Sequence, residues 1–276
     1  MRAAAVQLNS TEDKQRNLAI AERLTRAAAA EGATLVVLPE KFNVFGEDRH
    51  YDEGAEPLDG PTLEWASTLA RELGIDFVAG SIVERREGRD KLSNTSVHFG
   101  PDGEQRAVYR KIHMFDVVLG GVEYRESSSQ EAGDEIVTSG LGDGTELGMT
   151  VCYDLRFPEL YRILAVRGAR VIAVPSAFTK FTGAAHWEVL LRARAIENQA
   201  FVVAADQFGF RSDGKESYGG SLIADPWGEV LARVDEGEGF AVADLDLDRQ
   251  QELRGELPSL ANRVPAAYRW PEEVEV

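Results

Sequence analysis

Leu147-Gly148-Met149-Thr150-Val151-Cys152-Tyr153-Asp154-Leu155-Arg156-Phe157-Pro158-Glu159-Leu160 changes character at its middle. The first five residues read as an apolar strand. Pro158 then suits a helix start, where a missing N–H costs nothing because that donor has no intrahelical acceptor. A further apolar run at 171–174 gives a second strand. This strand–helix–strand pattern is that of an α/β layered domain. At its pivot stands Cys152, the one cysteine of 276 residues. A lone thiol inside an apolar run is most often a small buried hydrophobe, whereas one at the edge between strand and helix is placed to react.

The same style extends outward from this segment. Residues 3–8 read as a strand, and Ser10-Thr11-Glu12-Asp13 supplies capping chemistry for a helix with Leu18, Ala21, Leu24 and Ala28 on one face. Gly32 ends that helix, and 34–38 is a buried-type strand stopped by Pro39. Pro61 opens a helix to Leu73, Gly74 closes it, and 75–83 reads as one strand. Residues 95–99 and 105–109 flank Pro101-Asp102-Gly103, a turn signature, and are expected to form a hairpin. Later segments read as a helix over 186–198 and strands at 148–152, 200–205, 221–224, 229–234 and 240–244. No repeat or low-complexity linker interrupts them, so residues 1–276 are expected to form a single domain. Residues 257–276, with three prolines, are expected to form an extended C-terminal arm.

Composition excludes several function classes. Hydrophobic content of 43% and charged content of 28% belong to a soluble globular chain. No apolar run approaches the roughly 20 residues that span a bilayer. The first eight residues turn polar too quickly for a secretory signal. A net charge of −17 opposes nucleic-acid binding, which needs basic patches. One cysteine allows no internal disulfide and no zinc-ribbon spacing, so a cytoplasmic location is expected. Only six lysines occur: Lys14, Lys41, Lys91, Lys111, Lys180 and Lys215.

Two of the other reactive residues share the position of Cys152, each just after a strand-like run. Glu40 follows Leu35-Val36-Val37-Leu38-Pro39, and Lys111 follows Ala107-Val108-Tyr109-Arg110. Singly, Glu40 reads as a capping or surface carboxylate and Lys111 as a solvated strand end. Together with Cys152 they suit one chemistry: a thiol nucleophile, a carboxylate base and a fixed ammonium.

Leu38-Pro39-Glu40, Tyr109-Arg110-Lys111-Ile112-His113-Met114-Phe115-Asp116 and Val151-Cys152-Tyr153-Asp154-Leu155-Arg156-Phe157-Pro158-Glu159-Leu160 resemble the three signatures of the nitrilase, or carbon–nitrogen hydrolase, superfamily. The likeness continues through Pro175-Ser176-Ala177-Phe178, His186-Trp187-Glu188, Arg192 to Asn198, Ser217 to Ser221 and Asp225-Pro226-Trp227-Gly228. Within the superfamily the chain resembles the Nit-type amidases, which act on deaminated glutathione or on ω-amides of α-keto acids. The resemblance implies a four-layer αββα sandwich, a homodimer or higher homo-oligomer paired through helices, a small-molecule amide substrate, and no metal or organic cofactor. It implies a catalytic set of Glu40, Lys111 and Cys152, with Lys111 and the Tyr153 N–H receiving the oxyanion. A second glutamate is also implied, matched best by Glu126 and next by Glu123. Gly120-Gly121 departs from a usual Pro-Gly pair, and Gly220 stands where histidine is frequent.

For substrate binding, Arg156 is the candidate to hold a carboxylate; its alternative is an ion pair with Asp154 or Glu159. Phe178, Thr182 and Trp187 are candidate pocket walls. Arg194 and Glu197 read as a structural ion pair. His113 and His186 admit a Cys–His hydrolase as a competing enzyme, and a catalytically idle scaffold is the non-enzyme alternative. A nitrilase or aliphatic amidase would use the same Cys, Glu and Lys.

Overall fold

Side chains that alternate along the strands sort into three apolar layers, because successive Cβ atoms of a strand point to opposite faces. The computed structural model describes residues 1–268. Six α-helices occur among them: α1 (Lys14–Ala30), α2 (Asp48–Gly54), α3 (Pro61–Leu73), α4 (Pro158–Val166), α5 (Lys180–Asn198) and α6 (Leu247–Glu256).

Two sheets lie face to face. The first runs Gly239–Asp244, Arg2–Gln7, Leu35–Val37, Asp76–Val78, Ser93–Phe99, Ile82–Glu84, with Gln105–Arg110 paired to the far edge of Ser93–Phe99. The second runs Val230–Arg233, Leu222–Ala224, Phe201–Asp206, Val171–Ser176, Glu146–Met149, Thr138–Gly140. Ala3, Ala5, Leu35, Val37 and Val78 of the first meet Leu147, Val171, Ala173, Val203 and Ala205 of the second in a central core. The alternate residues Ala4, Val6, Val36 and Leu38 face outward onto Ala21, Leu24 and Ala28 of α1 and Leu63, Ala66 and Leu69 of α3. On the other side Met149, Ile172, Val174, Val202 and Ala204 pack on Leu160 and Leu164 of α4 and Trp187 and Leu191 of α5. This is the expected αββα sandwich. The central parallel strands are covered on both faces, which is why they read as largely apolar runs.

The central strands set where chemistry can occur. Arg2–Gln7, Leu35–Val37 and Asp76–Val78 are parallel, as are Glu146–Met149, Val171–Ser176 and Phe201–Asp206. Gln105–Arg110 is antiparallel to Ser93–Phe99, itself antiparallel to Asp76–Val78, so it runs with the parallel strands. Carboxyl ends therefore gather at one end of the sandwich.

Several boundaries differ from the sequence reading. The run 75–83 is two strands, Asp76–Val78 and Ile82–Glu84, interrupted at Gly80. Gly80 has φ +45°, and a Cβ there would lie 2.0 Å from the Pro39 carbonyl oxygen. The chain bends to admit the Pro39-Glu40 turn, and only glycine allows the approach. The strand expected over 148–152 ends at Met149; Cys152 instead opens a 3-10 helix, Cys152–Arg156. Helix α5 begins six residues before His186, capped by the Thr179 hydroxyl, which accepts from the Thr182 N–H at 3.4 Å. Helices α2 and α6 and the hairpins Asp116–Leu119/Val122–Arg125 and Phe208–Phe210/Glu216–Tyr218 add to the elements read from sequence. Of the expected C-terminal arm, 257–268 contains no strand and one 3-10 turn, Pro265–Ala267, and the remainder lies outside the described residues.

Candidate active site

Glu40, Lys111 and Cys152 leave three different strands and converge on one cavity of about 370 Å³. Glu40 sits just past Leu35–Val37, where its backbone is clamped by the second sheet. Its N–H donates to the Ser176 carbonyl at 3.3 Å, and Gln207 Nε2 donates to its carbonyl at 3.1 Å. Lys111 ends Gln105–Arg110, its N–H donating to the Asn94 carbonyl at 2.9 Å. Cys152 has φ +51°, a region unfavourable for residues with a Cβ. Among the described residues three non-glycines have positive φ, and two of them, Lys41 and Cys152, line this cavity. Such strain persists only where surrounding contacts enforce it, and it concentrates at functional sites.

Asp154 is what enforces it at Cys152. Fully buried, it accepts from the Val151 N–H at 2.8 Å and so ties the turn to itself. It also accepts from the Tyr109 hydroxyl at 2.7 Å, and from the His113 N–H at 3.2 Å, with the His113 ring at 2.7 Å. Tyr109 and His113 bracket Lys111, so one carboxylate joins the cysteine turn to the lysine strand. Arg194 Nε supports the same turn from α5 by donating to the Leu155 carbonyl at 3.0 Å, while its NH1 pairs with Glu197 at 2.9 Å.

The charged centre is almost dry. Lys111 Nζ donates to Glu40 Oε1 at 3.0 Å and to Glu126 Oε2 at 2.7 Å. Asn94 Nδ2 bridges the same carboxylates, 2.7 Å from Glu40 and 3.2 Å from Glu126. The Phe115 N–H adds 2.9 Å to Glu126 Oε2. Of the two glutamates in the hairpin region, Glu126 thus contacts Lys111, whereas Glu123 pairs with Arg125 in solvent at 2.6 Å. Burial disfavours the Lys111 ammonium, yet Glu126 and then Glu40 outweigh it and hold its pKa well above the ordinary value. For Glu126, burial again pushes upward, but Lys111 and Lys41 prevail and the carboxyl lies below its ordinary range. Burial first, then the Glu40 charge, push the Cys152 thiol well above its ordinary value. The resting thiol is therefore protonated and needs a base as it attacks.

Tyr153 is the second residue of the 3-10 helix, so its N–H is one of the donors that a helix start leaves without an intrahelical acceptor. Arg156, Phe178 and Thr182 line the cavity. The Arg156 guanidinium lies over the Phe178 ring, 5.2 Å from its centroid, and 3.3 Å from His186 Nδ1. It pairs with neither Asp154 nor Glu159, and no carboxylate meets it among the described residues. Trp187, read as a wall, is instead core: fully buried behind Phe178, it donates to the Gly220 carbonyl at 2.8 Å. His113 stacks on Phe157 with centroids 3.5 Å apart, engaged with Asp154 rather than Cys152. Sequence reasoning missed Asn94 and Lys41. Asn94 lies in a polar-looking strand, Ser93–Phe99, that is buried throughout; Lys41 is one of only six lysines and directly follows Glu40, and that adjacency is the signal the sequence carries for it.

A carbon–nitrogen hydrolase family model matches residues 2–255. The human deaminated glutathione amidase is 43% identical over 270 residues, covering 96% of this chain and 83% of the relative. The human omega-amidase NIT2 is 40% identical over 261 residues, covering 93% and 92%. Among solved structures, Nit3 of Saccharomyces cerevisiae, a member of branch 10 of the nitrilase superfamily, superposes with TM-score 0.85 at 33% identity over 94% of each chain. No helix among the described residues is long and apolar enough to cross a membrane. With the four-layer fold and a cysteine, two glutamates and a lysine around one cavity, the chain belongs to the carbon–nitrogen hydrolase family and is an enzyme that hydrolyses amide C–N bonds.

Proposed function

We propose that Cys152 attacks the carbonyl of a small carboxylate-bearing amide, of the deaminated glutathione or α-keto acid ω-amide type, and carries its acyl group as a thioester. The observation that supports this most is the Lys111 ammonium bridging Glu40 and Glu126 beside the thiol. Glu40 takes the thiol proton as sulfur attacks. The tetrahedral oxyanion accepts from Lys111 Nζ and the Tyr153 N–H; each such donor is worth about 3 kcal/mol of barrier. The proton on Glu40 passes to the departing nitrogen, which leaves as ammonia or an amine. Glu40 then deprotonates a water that attacks the thioester, and collapse frees the acid and the thiol. Glu126 acts by holding Lys111 in place.

Arg156, free of any carboxylate among the described residues, suits the substrate carboxylate, with Phe178 and Thr182 beside it. The relatives named for deaminated glutathione and omega-amides support an acid of that kind. A free thiol nucleophile fits a reducing cytoplasm. Residues 1–276 form one domain in this reading, and its partner is a second copy. Exposed apolar residues on the outer helices, Ile163 and Val166 of α4 and Val189 and Ile196 of α5, support pairing through that layer.

A release assay tests the assignment. Deaminated glutathione, α-ketoglutaramate, simple aliphatic amides and nitriles are supplied in turn, and ammonia or amine is measured. Release from a carboxylate-bearing amide, lost in Cys152→Ala, is the expected result. Release from nitriles alone, or turnover surviving Cys152→Ala, would overturn the proposal.

A further inference from the structure

We propose that Lys41 is the charge-balancing residue of this site, its ammonium against Glu126 making the buried cluster neutral and so setting the pH at which Cys152 becomes reactive. The inference rests on Cys152 being the nucleophile.

Lys41 directly follows Glu40, and its side chain does not run out to solvent as lysines usually do. It is 7% exposed. Its φ of +51° is unfavourable for a residue with a Cβ, and the conformation is held by its N–H donating to Ser81 Oγ at 2.9 Å. That turn keeps the side chain in the cavity that holds Glu40, Lys111 and Cys152. Nζ lies 3.2 Å from Glu126 Oε1 and 4.6 Å from the centroid of the Tyr51 ring. A desolvated ammonium over an aromatic face and against a carboxylate is a fixed charge.

The count of charges gives this placement its meaning. With the thiol protonated, Glu40 and Glu126 carry two negative charges and Lys111 and Lys41 two positive ones. Remove Lys41 and a nearly dry cluster holds one excess negative charge, which is costly in such surroundings. The other groups facing the cluster do not replace it. Tyr51, from α2, is a phenol that burial holds above its ordinary value. Asp206, from Phe201–Asp206, is a buried carboxyl and can add only negative charge. Arg211 lies beyond, over the Phe45 ring at 4.7 Å and paired with Asp213 at 2.5 Å. Asn94 is uncharged. Burial opposes the Lys41 ammonium, but Glu126 and Tyr51 outweigh it, so the charge stays in place. Groups this close titrate as a set, and an added negative charge makes forming the thiolate harder.

Because the chain has one cysteine, iodoacetamide labelling of the native protein reports on Cys152 alone. Alkylation rates are measured from pH 6 to 10 for the wild type, Lys41→Met, Lys41→Gln and Lys41→Arg, with folding checked by circular dichroism. Both neutral variants should alkylate about ten-fold more slowly at a given pH, an upward displacement of about one pH unit. The acidic limb of kcat/KM should move the same way with KM little changed, and Lys41→Arg should keep the wild-type midpoint. A lysine that merely packs on Tyr51 predicts otherwise: Met preserves that packing, and a folded neutral variant with the wild-type profile overturns the proposal. Should neither neutral variant fold, the double variant Lys41→Met/Glu126→Gln, again neutral, recovers the fold if charge balance is the requirement, read by circular dichroism alone because Glu126 also holds Lys111. A double variant that stays unfolded is evidence against it. Turnover surviving Cys152→Ala would instead remove the nucleophile assignment itself, a separate failure.

Discussion

Asp154 accepts from Tyr109, Val151 and His113 while fully buried, and neither an amide nor a water could satisfy all those donors. Asp154→Asn should cost about 2 kcal/mol in urea unfolding, the scale of a buried donor left unmet. It should also lower kcat with KM retained, since it loosens the cysteine turn against the lysine strand without touching the cavity wall; a KM effect alone would contradict that role. Glu126 gives a prediction in pH. Its folded pKa lies below the ordinary value, so its contribution to stability is complete above the unfolded value of about 4.3 and is lost as pH falls below that. Urea midpoints of Glu126→Gln should therefore fall less steeply below about pH 4.3 than those of the wild type; equal slopes would contradict the assignment. Glu40, Lys111 and Cys152 are legible in the sequence because each follows a strand-like run and stands within a segment resembling a family signature. Asn94 is not, since Ser93-Asn94-Thr95-Ser96 reads as solvated polarity. Nothing local reveals that this strand is covered by others far away in sequence.

At the scale of elements, the parallel strands and long helices are legible by their apolar runs and caps; α3 begins and ends where Pro61 and Gly74 place it. The break at Gly80 is not, because its cause is the Pro39 carbonyl, some 40 residues earlier in the chain. Short pieces such as α2 and the two cavity-rim hairpins are too brief to show a period. Gly80→Ala adds a Cβ in a positive-φ conformation against that carbonyl and should destabilise the protein by about 2 kcal/mol or more. Activity should fall beyond what stability explains, as the neighbouring Glu40 is displaced; a variant with wild-type urea midpoint and kcat would show that the turn has slack.

For the molecule as a whole, two sheets sharing a core of small and branched residues fix the geometry, and the site lies where both sets of strands end. The apolar positions left on α4 and α5 predict a dimer. Val189→Asp combined with Ile196→Asp should yield monomers in sedimentation velocity, whereas a wild-type monomer would refute pairing through that layer. The catalytic cycle predicts a covalent species more directly than any of these. Rapid acid quench of the enzyme turning over an α-keto acid ω-amide, followed by peptide mass spectrometry, should find Cys152 heavier by the substrate less ammonia. Unmodified Cys152 throughout turnover, or the acyl group on another residue, would contradict the account.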